Sequence, residues 1–198
     1  MARTIAKDHG EKRAQILKSA AKVFANKGFD RASMSLLAAE CGISKANIYH
    51  YYESKDALLF DVLDNYLSTL RDRVCGIDLT GKPPEAALRE TVLQILLAYQ
   101  GADDEHRVQG SGLAALPQAQ QSVLRAYQRD MVRHLSSILA ANAPAQFENA
   151  PDKLRATTMS VFGMLNWFYM WNPGADAPAR HAYARHISDL TLGGLGAL

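Results

Sequence analysis

The apolar periodicity constrains this chain most. Apolar residues recur every three or four positions nearly end to end, and the period-two alternation of a strand is nowhere sustained. From Glu11 to Lys27, Ile16, Ala20, Val23, Phe24 and Lys27 fall near one face, and Gly28 stops the helix. Short runs follow from about Met34 to Cys41 and from Lys45 to Tyr51. From Lys55 to Cys75, Leu59, Val62, Leu63, Tyr66, Leu70 and Val74 form a long stripe that Gly76 and Gly81-Lys82-Pro83-Pro84 break. Further helices are predicted over about Glu85–Ala102, Pro117–Asn142, Asp152–Trp171 and Ala177–Leu195. Pro144 and Pro151 bracket a linker, and Gly101, Gly110 and Gly112 leave 103–116 ambiguous. The expectation is an all-α chain of about nine helices. A head, residues 1–55, is linked by the 55–75 helix to a helical body within residues 56–198.

The formal charge of +2 conceals an asymmetry. Residues 1–55 carry ten Lys+Arg against five Asp+Glu, hence +5, while residues 56–198 carry 12 against 15, hence −3. A basic head on a mildly acidic body points to an anionic partner for the head. Cys41 and Cys75 have no metal-ligand spacing and read as free thiols of a reducing compartment. The first residues lack the apolar core of a secretory signal, and no apolar run is long enough for a bilayer. A soluble, cytoplasmic chain with no membrane partner is expected.

The most informative stretch is Ser33 to Leu59, SMSLLAAECGISKANIYHYYESKDALL. It reads as two short helices joined at Gly42-Ile43-Ser44. Gly42 takes the left-handed turn, Ile43 pins the helices together, and Ser44 caps the second. Leu37, Ala38, Cys41, Ile48 and Tyr52 face inward. Lys45, Ala46, Tyr49 and His50 are left on an outward face, flanked by Asn47 and Tyr51. Such a face, with donors, an aromatic ring and a small residue permitting close approach, suits a DNA major groove.

These residues resemble the helix-turn-helix of the TetR family of transcriptional repressors. Leu37-Ala38, Cys41-Gly42-Ile43-Ser44, Ile48-Tyr49, Tyr51-Tyr52 and Ser54-Lys55-Asp56-Ala57-Leu58 stand at the family's positions, and Phe24 to Phe29 resembles its F-x-x-x-G-F/Y. Ala46 replaces a frequent Gly and Cys41 a usual Ala. The resemblance implies a three-helix DNA-binding head that binds palindromic double-stranded operator DNA. Ser44 opens the recognition helix. Lys45, Ala46, Asn47, Tyr49 and His50 would meet bases or adjoining phosphates, and Ser33, Tyr51 and Lys55 the phosphate backbone.

For the body, the resemblance implies a ligand pocket and a homodimer built on the last two helices. The 152–171 helix is apolar nearly all round, so burial on several sides is expected. Val161, Leu165 and Phe168 from it, with Tyr183, Ile187 and Leu190 from the last helix, are the expected dimer face. Gly163 to Pro173 is similar to a G-x-x-N-W-x-x-x-W segment of TetR-family regulators of fatty-acid, sterol or aromatic-acid catabolism, several of which sense acyl-CoA thioesters. That likeness implies a hydrophobic effector such as an acyl-CoA. Its acyl part would lie among Met131, Leu135, Phe162, Trp167 and Met170, and its phosphates near Arg107, Arg129 or Arg133. His134 would sit at the pocket edge. Asn166, polar within an apolar run, needs a partner: a thioester carbonyl or a backbone carbonyl. A regulator of drug efflux sensing hydrophobic cations is the alternative.

Other classes fare worse. Gly110 to Ala115 matches G-x-G-x-x-A, but no strand precedes it. G-x-S-x-G, Walker A and H-E-x-x-H are missing from the sequence, and His181 and His186, five apart, do not share a helix face. No enzyme, cofactor or metal is expected. A helical interaction module would explain the body but leaves the basic head without a purpose.

Overall fold

The computed structural model describes residues 2–197, with side chains from His9 onward. Every regular element among these residues is helical: α1 (Ala2–Lys27), α2 (Met34–Glu40), α3 (Lys45–Tyr51), α4 (Lys55–Cys75), α5 (Pro84–Ala98), α6 (Asp103–Gly112), α7 (Gln118–Asn142), α8 (Pro144–Phe147), α9 (Pro151–Trp171) and α10 (Ala177–Leu195). The all-α expectation holds, with ten α-helices rather than nine. The first begins at Ala2, well before Glu11. The ambiguous 103–116 segment is α6 followed by a 3-10 turn over Leu113–Ala115, and one helical turn, α8, occupies the expected linker. No helix among the described residues is long and apolar enough to cross a membrane.

Two compact units divide the chain: residues 2–67 with Asp104–Leu124, and Ser68–Asp103 with Arg125–Leu198. In the first, Ile16, Ala20, Val23 and Phe24 of α1 are buried, and α2 packs on both α1 and α3. Leu58, Leu59, Val62 and Leu63 bring the start of α4 into the same core. At the end of α6, a Cβ on Gly112 would stand 3.1 Å from Leu59 Cδ1 and 3.3 Å from Val108 Cγ1. The glycine read in the sequence as a loosener of helix is thus the residue that lets α6 lie against α4.

In the second unit α10 packs along α5, and α9 on α5, α8 and α10. Pro84 occupies the first turn of α5, where its missing N–H costs nothing. A buried charge ties the element ends together. Arg180 of α10 is 1% exposed. Its Nε donates to the Ala175 carbonyl and its Nη1 to the Leu96 carbonyl at the end of α5, each at 3.0 Å. Its Nη2 lies 3.6 Å from Asp103 Oδ1 at the start of α6, and Asp103 Oδ2 accepts the Gly174 N–H at 2.8 Å. A guanidinium can be buried only where its donors are met by carbonyls and a carboxylate. Removing it leaves those acceptors stranded around a cavity. Arg180→Ala is expected to lower stability by about 3–5 kcal/mol, read as a lower urea midpoint for the unfolding of the second unit.

Candidate nucleic-acid interface and effector site

The α2–α3 junction is built from backbone hydrogen bonds. Gly42, at φ +64°, lets its own N–H reach the Ala39 carbonyl (3.1 Å) and the Ile43 N–H reach the Ala38 carbonyl (3.0 Å), which closes α2. Ile43 itself is only half-buried, so this bonding, more than an apolar pin, sets the turn. Ser33 Oγ accepts the Leu36 N–H at 3.2 Å and Ser44 Oγ the Asn47 N–H at 3.1 Å, capping α2 and α3. A capping hydroxyl uses a lone pair, so each exposed serine retains an O–H to donate outward. Ile48 and Tyr52 are buried, and Lys45, Ala46, Asn47, Tyr49 and His50 are all exposed. No carboxylate among the described residues pairs with Lys45. Tyr51 is half-buried, its ring stacked on His9 of α1 at 4.9 Å.

Lys55 is placed differently from its expected role at a phosphate. Its ammonium lies 3.1, 3.4 and 3.5 Å from the carbonyl oxygens of Phe29, Asp30 and Ala32, and 4.4 Å from the centre of the Phe29 ring. Three N–H donors meeting three carbonyls clamp the α1–α2 turn. Lys55→Ala is expected to destabilise the first unit by about 1–2 kcal/mol. Amide hydrogen exchange should show protection lost over residues 29–33 first.

The residues expected around an effector fall into separate groups. Met131 and Leu135 of α7 and Phe162 of α9 are buried, and the two helices are joined by the Ser136–Thr158 hydroxyl pair at 2.9 Å. Asn166 has found its partner in α5, where the buried Tyr99 hydroxyl donates to its Oδ1 at 2.7 Å. Burial raises the Tyr99 phenol pKa and keeps it a donor. His134 is half-buried, and its Nε2 is enclosed with no partner among the described residues. Burial lowers its pKa, which favours the neutral ring. Arg129 and Arg133 stand at the surface of α7. Arg107 belongs to α6 in the first unit, 3.8 Å from Asp104. Trp167 and Met170 are exposed rather than enclosed.

Within the single chain the α9 helix therefore has two faces, one buried and one exposed. Val161, Leu165 and Phe168, with Ile187 of α10, are buried inside the chain's own core. Tyr183 is half-buried, stacked on Phe168 at 4.5 Å with its hydroxyl donating to the Met164 carbonyl. The exposed apolar side chains are Met159, Trp167 (61%), Met170 and Trp171 (57%) of α9, and Leu190 (55%) of α10. Of the six residues expected at a dimer face, Leu190 alone is largely exposed. Beside it runs a 210 Å³ groove between α9 and α10, lined by Ser160, Met164, Leu190 and Gly194 among others. Met159 and Trp171 were missed as surface residues; their signal was a helical spacing shared with Gly163 and Trp167.

Comparison with known proteins matches both parts of the chain. Residues 16–62 match the model of bacterial regulatory proteins of the tetR family, and residues 81–195 match the tetracyclin repressor-like C-terminal domain. The HTH-type transcriptional regulator YuxN of Bacillus subtilis (strain 168) is 33% identical over 132 residues, which is 65% of this chain and 45% of YuxN. The chain thus spans less than half the length of that relative, and 29% of a second regulator from the same organism. The crystal structure of a TetR-family transcriptional regulator from Bordetella parapertussis 12822 superposes with a TM-score of 0.85 at 31% identity, covering 94% of this chain and 96% of that one. AibR, crystallised with isovaleryl coenzyme A and operator DNA, shares the fold at a TM-score of 0.71 and 23% identity, over 92% and 96% of the two chains. On the two matched domains and this full-length likeness, the chain belongs to the TetR family of bacterial regulatory proteins.

Proposed function

We propose that this chain is a transcriptional repressor, not an enzyme, that binds palindromic operator DNA as a homodimer and responds to a hydrophobic effector. The observation that carries the reading is the outward face of α3. Lys45, Ala46, Asn47, Tyr49 and His50 stand exposed on a helix whose opposite face is buried and whose start is capped. Lys45 and Asn47 supply donors for base edges, Ala46 allows close approach, and Ser33 and Ser44 can donate hydroxyls to phosphates.

The proposed dimer surface is the exposed face of α9, Met159, Trp167, Met170 and Trp171, continued by Leu190 of α10. A contiguous apolar face of this kind marks an interface, and an isologous pairing would give the two-fold symmetry of a palindromic site. The native chain is expected to bind a palindromic duplex recovered from a randomised library as two chains per duplex. Affinity should fall steeply with salt, and Lys45→Ala should change which sequence is preferred. Trp167→Glu should sediment as a monomer and lose the palindromic preference. If the native chain preferred no duplex, this reading would be sunk.

For the effector we propose an acyl-CoA, with AibR as the precedent of a related fold that binds isovaleryl coenzyme A. The Tyr99–Asn166 pair supports it. The Tyr99 hydroxyl donates to Oδ1 and so turns that oxygen toward α5, and the two amide N–H donors of Asn166 suit a thioester carbonyl. Met131, Leu135 and Phe162 would take the acyl chain, and the exposed Arg129 and Arg133 the phosphates. The effector can shift DNA affinity only by binding the two states unequally. Isovaleryl-CoA at a hundredfold excess over its dissociation constant should stabilise the chain by about 2.7 kcal/mol in a thermal-shift assay, and should change operator affinity. A response to hydrophobic cations alone would overturn the acyl-CoA assignment and favour a drug-efflux regulator.

A further inference from the structure

Behind the outward face of α3 lies a polar cluster that takes no part in that face. Tyr52 caps the end of α3 with extended backbone (φ −141°, ψ 121°), and its ring is buried. Its hydroxyl donates to Oδ2 of Asp61, nine residues further on in α4. The same carboxylate is gripped side-on by Arg13 of α1. The Arg13 Nε donates to Oδ2 at 3.1 Å and Nη2 donates to Oδ1. One carboxylate therefore joins α1, the end of α3 and α4, all within the first unit. Burial, and then the hydrogen bond to Asp61, raise the Tyr52 phenol pKa and keep its proton available to donate.

Apolar packing fixes how deep α3 sits better than it fixes rotation about its axis, because a ring or an isoleucine can slide on a neighbour. Hydrogen bonds are directional and weaken steeply off axis. The start of α3 is held by the Gly42 turn and the Ser44 cap. Its far end is held by the Tyr52 hydroxyl on a carboxylate that Arg13 keeps from rotating. We propose that Asp61 is a positioning residue for sequence recognition: held by Arg13, it accepts the Tyr52 hydroxyl and so sets the rotation of α3 at which its side chains meet base edges. The inference rests on the DNA-binding reading above and deepens it. Base-edge contacts demand that angle, whereas phosphate contacts from flexible lysines and serine hydroxyls tolerate a change. Loss of the cluster should therefore degrade the preference for one sequence and spare general affinity for DNA.

The test uses the full chain, native and as Tyr52→Phe and Asp61→Asn, with two probes: the duplex that the native chain recovers from a randomised library, and a scrambled duplex of the same length. Tyr52→Phe removes one oxygen and keeps the ring. It is expected to reduce the ratio of the two affinities about tenfold, the loss of one good base contact, while scrambled-duplex affinity, its salt dependence and the melting temperature stay near native. Asp61→Asn should lose at least as much; if it does not fold, Tyr52→Phe decides alone. A ratio in Tyr52→Phe indistinguishable from native overturns the proposal, as does an equal loss on both duplexes in step with a lowered melting temperature. A native chain that recovers no duplex overturns the DNA-binding reading itself, and the proposal with it.

Discussion

A helix of seven residues cannot hold its shape alone in water, where isolated helices shorter than about 12–15 residues are marginal. The head is organised around that constraint. α3 depends on its surroundings for order: the Gly42 turn before it, the Ser44 cap at its start, and the burial of Ile48 and Tyr52 along one side. Burying a side chain such as Ile48 contributes about 1.5–3 kcal/mol. Because those attachments lie behind the helix, at its ends or in its backbone, none uses the side chains of Lys45, Asn47, Tyr49 or His50. The surface offered to a partner is free because stability is drawn from elsewhere.

The head was legible in the sequence because its determinants are local. A glycine followed two residues later by a serine, then inward residues four apart, specifies turn, cap and buried face within about a dozen positions. Lys55 shows where such reading ends. Its ammonium meets carbonyls 23 to 26 residues away, and no pattern around it distinguishes a clamp from a phosphate contact. Tyr52 is similar: phenylalanine would satisfy the same apolar pattern, so the role of its hydroxyl and of Asp61 and Arg13 became visible only once three helices were placed together.

In the body, period alone left too many solutions. Along α9, Val161, Leu165 and Phe168 make one stripe, and Met159, Gly163, Trp167 and Met170 make another. Both obey helical spacing, and both are apolar or small. Which one turns inward is decided by what the neighbouring helices present, and α5 and α10 select the first. Asn166 was recognisable as a group in need of a partner, yet its partner, Tyr99, lies 67 residues away. Arg180 gave no such warning. A basic residue near the start of a helix reads as solvated, and its burial follows from three acceptors that converge only in the folded chain.

The chain contains only two tryptophans, Trp167 and Trp171, and both lie on the exposed face of α9. Trp171 packs edge-on against Phe168 and Tyr183, while the larger part of its indole meets solvent. The tryptophan emission of this molecule therefore arises from a single patch. Covering that patch would shift the emission to shorter wavelength, whereas events confined to the head leave no indole there to report them. The fold carries its own optical label for whatever covers that face, with nothing attached.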